Sequence, residues 1–174
     1  MRCRPLSHVF LALLMGCLLL QPSAVGAVPM LNDPKGFHNI PWGSALMTRT
    51  ELEPARTGPH IKEYRAKTGP PSFADTEMTS ILYVSVDDQF ARVTIRYDGE
   101  RTHKRVMEHL EAQYGPLERI PGQMTRGLNQ QYTWRGTETE INLTYQASTE
   151  RGFIFIDSRT LAPRFNDHIT DSAE

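Results

Sequence analysis

The chain has few of the residues that announce chemistry. Only two of its 174 residues are cysteine, Cys3 and Cys17, and both lie in the first 27. If that segment is removed, no disulfide and no Cys/His zinc pattern remains. Neither a phosphate-binding glycine loop nor a His-Glu-x-x-His pair occurs, and Ser85, Ser148 and Ser158 lack a nucleophile-elbow context. Charge is also balanced, with a formal net charge of −1. That balance argues against nucleic acid, which calls for a clustered basic surface. Apolar runs are short. The longest, Val9 to Leu20, falls below the roughly 20 residues of a membrane span.

That run is informative for what flanks it. Arg2 and Arg4 precede it, Gln21-Pro22 ends it, and Val25 and Ala27 form a small-x-small pair. Basic region, apolar core and small residues together read as a secretory signal peptide over residues 1–27, cleaved after Ala27. The product has about 147 residues, of one-domain size, with a formal charge near −3. It would be periplasmic or secreted. The alternative turns on Leu14-Met15-Gly16-Cys17, which resembles a lipobox. A lipidated Cys17 would make the protein a membrane-anchored assembly factor, the one membrane contact expected.

Residues 28–36 are rich in turn formers and read as a flexible leader. The clearest structure follows at 81–116. Ile81 to Val86 is β-branched and aromatic, with Leu82, Val84 and Val86 expected inward. Asp87-Asp88-Gln89 interrupts it as a solvated turn. Phe90 to Tyr97 then alternates, with Ala91, Val93, Ile95 and Tyr97 on one face. After Asp98-Gly99 the period becomes helical. His103, Val106, Met107, Leu110 and Tyr114 form one stripe, Thr102 is the expected N-cap, and Gly115-Pro116 is a stop.

Elsewhere the pattern is thinner. Glu51 to Gly58, with Pro54, reads as loop, and Ile61 to Lys67 as an edge strand. Leu117 to Asn129 is a loop. Gln130 to Arg135, Glu140 to Gln146 and Gly152 to Ser158 are strands, the last apolar on both faces. From Pro163 the tail, 163–174, is polar and expected to fray. The short connections imply antiparallel pairing. The expected fold is a single α+β domain over residues 37–162. It comprises one antiparallel sheet of about five to six strands with one long helix packed on one face.

Phe37-x-x-Ile40-x-Trp42-Gly43 follows the exported N-terminus closely. With Tyr64-Arg65, Tyr114-Gly115-Pro116 and Trp134-Arg135-Gly136, it resembles a family of small, uncharacterised bacterial exported proteins. The resemblance covers most of the chain beyond residue 36. It departs at Tyr64-Arg65, where the family has a residue between the two. It implies no activity, cofactor or catalytic residue.

The candidate ligand-binding residues are therefore physical ones. Trp42 is an aromatic with a polar N–H that can line a site. Arg101, Lys104 and Arg105 crowd the helix start, where the macrodipole disfavours cations and free N–H groups attract anions. Catalytic residues are unknown, and no metal site and no cofactor are legible. The sequence reads as a non-catalytic exported binding or accessory module. Its expected partner is an unidentified envelope protein or small molecule. An envelope hydrolase built from His60, Asp87, Asp88 and His103 is the alternative.

Overall fold

The computed structural model describes residues 30–117 and 127–171, with side chains described as far as residue 168. The expected signal peptide, Cys17 and most of the 117–129 loop lie outside the described residues. At the centre stand β7 (Ser80–Val86), β8 (Gln89–Asp98) and α1 (Glu100–Tyr114). Asp87 and Asp88 join the strands with φ of 46° and 64°. Two left-handed residues match the twist of a hairpin, and aspartate is among the few side chains that tolerate them.

The helix starts earlier than its polar residues imply. Gly99, at φ 94°, holds the cap position, no side chain caps the helix, and Thr102 lies inside the first turn. The stop is as read: Gly115, at φ 90°, returns its N–H to the Glu111 carbonyl at 2.9 Å. His103, Val106 and Leu110 form the buried face of α1.

The expected fold class is corrected. The chain is mostly β, with a seven-stranded antiparallel sheet and two separate two-stranded ribbons. The sheet comprises β3 (Leu52–Thr57), β4 (Ile61–Ala66), β7, β8, β9 (Asn129–Arg135), β10 (Thr139–Gln146) and β11 (Arg151–Ser158). Their spatial order is β3-β4-β7-β8-β11-β10-β9. The ribbons are β1 (Gly36–Phe37) with β2 (Ile40–Pro41), and β5 (Ser72–Phe73) with β6 (Thr76–Glu77). The extra strand is the segment read as loop. Pro54 is tolerated in β3 because that strand is an edge, with a register shift between Pro54 and Arg56. Ile61 to Ala66 is accordingly internal, between β3 and β7.

The sheet carries an apolar cluster on each face, which explains a second correction. Ile81 and Tyr83, with Val93, Ile95 and Tyr97, belong to the main core alongside α1, β9, β10 and the N-terminal strap. Val84, Val86 and Ala91 form a second, smaller cluster with Phe165. Between Val84 and Ser85 the pairing slips, and Ala91 has no partner on β7. One unpaired residue turns the following side chain to the other face. The sequence shows the alternation but not that slip, so Val84, Val86 and Ala91 were expected on the wrong side.

Both segments expected to be loose are held. The Asp33 carboxylate accepts the backbone N–H groups of Thr137, Glu138 and Thr139 at 2.5, 2.8 and 3.0 Å. Met30 is buried in the main core. The tail forms α2 (Arg164–Asp171) after Pro163, a residue suited to the start of a helix. Its Phe165 is 5 % exposed and packs on Val84, Val86 and Ala91.

Candidate functional site

Three segments far apart in sequence meet where α2 covers the β7–β8 turn. His60 follows Gly58-Pro59 in the β3–β4 connection. Its carbonyl accepts the Asp87 N–H at 2.9 Å, extending the β4–β7 ladder by one step. The Asp87 side chain is therefore presented beside the His60 ring. His168 arrives on α2, which the buried Phe165 anchors to the second face of the sheet.

The side chains converge on one carboxylate. His60 Nδ1 lies 2.9 Å from Asp87 Oδ1. His168 Nε2 lies 3.1 Å from each Asp87 oxygen. Arg164 Nη2 donates to Oδ2 at 2.6 Å, and its Nη1 donates to Gln89 at 2.6 Å. The two imidazoles stack at 4.1 Å between centroids with planes 9° apart. Hydrogen bonds from His60 and then His168, with the Arg164 charge beside them, hold the Asp87 carboxyl below the usual carboxylate range. Asp88 turns away to Lys62, 2.6 Å distant, and that bond raises the lysine pKa. The corner opens into a pocket of about 390 Å³, lined in part by Arg56, Glu63, His60 and His168.

Of the residues proposed for a hydrolase, the structure unites only His60 and Asp87. His103 lies in the main core, 8 % exposed. Its Nδ1 is 2.8 Å from the Tyr97 hydroxyl, and its ring stacks on Tyr145 at 3.8 Å. Burial lowers its pKa to about 4, against a weaker raising effect of Gln130. Burial also raises the Tyr97 pKa, so the hydrogen bond joins two neutral groups. That pairing is a packed core contact.

The other candidates are placed as follows. Trp42 Nε1 donates to Thr139 Oγ1 at 2.8 Å, and its ring lies 4.7 Å from Phe90. Thr139 in turn donates to the Pro34 carbonyl. The polar end of Trp42 is thus spent on holding the N-terminal strap to β10. Arg101, Lys104 and Arg105 are exposed on α1. They form no ion pair among the described residues, and the first helical N–H, that of Glu100, is 3.3 Å from Glu150 Oε2. A carboxylate of the chain itself thus stands where an anion was expected.

Sequence reasoning missed His168 and Arg164. They lie 81 and 77 residues from Asp87, so no spacing motif could join them. The faint signal was Pro163 followed by Phe165 and Ile169 at i, i+4, an apolar helical pair in a polar tail.

A second groove, about 510 Å³, lies elsewhere, where β4 leaves β7 beyond Tyr83. His38 and Tyr83 meet there at 2.8 Å, with burial lowering the histidine and raising the tyrosine to about 12. That groove gathers fewer ionisable groups than the α2 corner. Among the described residues no helix is long and apolar enough to cross a membrane. The chain matches no family model, no curated protein and no solved structure.

Proposed function

We propose that the protein is an exported, non-catalytic binding module that takes its ligand at the corner formed by His60, Asp87 and His168. The N-terminal sequence supports export. Arg2 and Arg4, the apolar run to Leu20 and the small residues to Ala27 are those of a cleaved leader. One observation carries the ligand site: two imidazoles from distant segments meet on a single carboxylate, beside an open pocket. Convergent titratable groups at a concave surface mark a binding site more often than a structural one. The neighbourhood supports binding over catalysis, since among the described residues no serine, threonine or cysteine lines the pocket.

Amide NMR of the purified protein, titrated with divalent metal salts, phosphate and short carboxylates, tests this reading. Saturable shifts centred on His60, Asp87 and His168 are expected with at least one probe. Shifts confined to the β4–β7 groove, or none with any probe, would sink it.

One observation favours a second reading as a hydrolase. His60 presents Nδ1 to Asp87, which leaves Nε2 to take a proton from water. Turnover of ester, phosphoester or glycoside substrates that is lost in His60→Ala would select that reading.

A further inference from the structure

Resting on the corner as the ligand site, we propose that its ligand is a first-row divalent transition metal, zinc above all. His60 Nδ1, His168 Nε2 and Asp87 Oδ1 would bind it. One ligand atom from each of the three residues lies within 4.8 Å of the other two. The oxygen is 2.9 Å from His60 Nδ1 and 3.1 Å from His168 Nε2. Zinc bonds to imidazole and carboxylate are about 2.0–2.1 Å, which sets ligand atoms roughly 3.3 Å apart in a tetrahedron. Two edges of the donor triangle are thus close to that spacing already, and the two parallel rings would have to tilt apart for both in-plane lone pairs to meet at one ion.

The directions are as telling as the distances. Both ring nitrogens face the carboxylate. In the tautomer that carries its proton on the other nitrogen, each offers a lone pair to a cation placed between them and the carboxylate. Contact with the one carboxylate oxygen brings Nδ1 of His60 and Nε2 of His168 to the same side of the ring pair. Arg164 holds Oδ2 and leaves Oδ1 to the metal, the arrangement of a ligating carboxylate steadied by an outer partner. The pocket at the same corner gives solvent or a partner's side chain access to a fourth position. Two nitrogen donors and one oxygen select zinc, copper, nickel or cobalt over magnesium and calcium, which favour all-oxygen sites.

The site ties two parts of the fold together. His60 and Asp87 sit on sheet connections, whereas His168 sits on α2, which Phe165 and Arg164 help to hold on the sheet. A bound metal would cross-link the helix to the sheet.

The test uses metal-stripped, purified protein. Calorimetric titration with zinc chloride is expected to show one equivalent bound, and magnesium and calcium none. Cobalt(II) is expected to give the visible absorption of a low-coordinate nitrogen–oxygen site. His60→Ala and His168→Ala should each weaken zinc binding by about 100-fold or more, by analogy with the 10- to 100-fold loss for outer-shell partners alone. Asp88→Asn, next door but bonded to Lys62, should leave it unchanged. Circular dichroism of each variant checks the fold. If His168→Ala unwinds α2, the surface variant His60→Ala decides alone. Zinc binding that survives His60→Ala, or no binding at millimolar zinc, overturns the proposal. In the second case, amide shifts at the corner with phosphate or a carboxylate would keep the binding reading and discard the metal. Silence from every probe would discard both.

Discussion

Lowering the pH should cost this fold about 3 kcal/mol through one residue. His103 lies on the buried face of α1, stacked on Tyr145 and hydrogen-bonded to the Tyr97 hydroxyl, and burial lowers its pKa to about 4. The unfolded value is about 6.5. The native state therefore holds fewer protons than the unfolded chain across that interval. Its contribution is fully present above the unfolded value and is lost as pH falls toward the folded one. At about 1.36 kcal/mol per pH unit, the interval corresponds to about 3 kcal/mol. Urea unfolding from pH 7 to pH 4, in the native protein and in His103→Phe, isolates this share from the carboxylates that titrate nearby. The native protein should lose about 3 kcal/mol more than the variant over that range. If the variant does not fold, the ring proton shift of His103 in the native protein gives the same answer. A midpoint near 6.5, or equal pH dependence in the two proteins, would refute the reasoning.

Other outcomes follow from close contacts. Gly152 faces Tyr97 across β11 and β8, and a Cβ there would stand 1.9 Å from the ring. Gly152→Ala should cost about 1–3 kcal/mol, the range for overpacking, read from the shift in the urea midpoint. Tyr145 carries a buried hydroxyl with no hydrogen-bond partner among the described residues. Tyr145→Phe should be neutral or stabilise by about 1 kcal/mol, and a clear loss would expose a hidden partner. Arg92 donates to Asp157 at 2.5 and 3.0 Å between the rings of Phe155 and Phe165. Arg92→Ala leaves the buried carboxylate unpaired and should cost about 3 kcal/mol in urea unfolding. Phe165→Ala should release α2, with faster amide exchange there than elsewhere and weaker zinc binding, because α2 delivers His168.

What could be read from the sequence depended on how far each cause reaches along the chain. The β7–β8 hairpin, α1 and its glycine stop are set by neighbours a few residues apart, and their periodicity is plain. The faces of β10 were also legible, since Ile141, Leu143 and Tyr145 are buried as their alternation implies. β3 was not, because a strand of sequence Leu-Glu-Pro-Ala-Arg-Thr is stabilised by its partner and not by its own propensity. The face of Val84 and Val86 was hidden by one unpaired residue, Ala91. α2 was hidden because its anchor, Phe165, has value only against a second cluster that periodicity on one face does not reveal. The α2 corner suffered twice. His60 and Asp87 stood together among the hydrolase candidates, but with Asp88 and the core residue His103, and His168 lay in the segment read as a tail. His103 misled in the opposite direction, since a histidine in an apolar stripe is the same letter whether it acts as a base or packs in a core.

The most direct measurement is anomalous diffraction at the zinc absorption edge from crystals of the zinc-loaded protein. One dominant peak is expected, bonded to His60 Nδ1, His168 Nε2 and Asp87 Oδ1, with Arg164 still on the other carboxylate oxygen. A peak elsewhere, or none at this corner with the His60 and His168 rings still stacked on each other beside Asp87, would contradict the metal site.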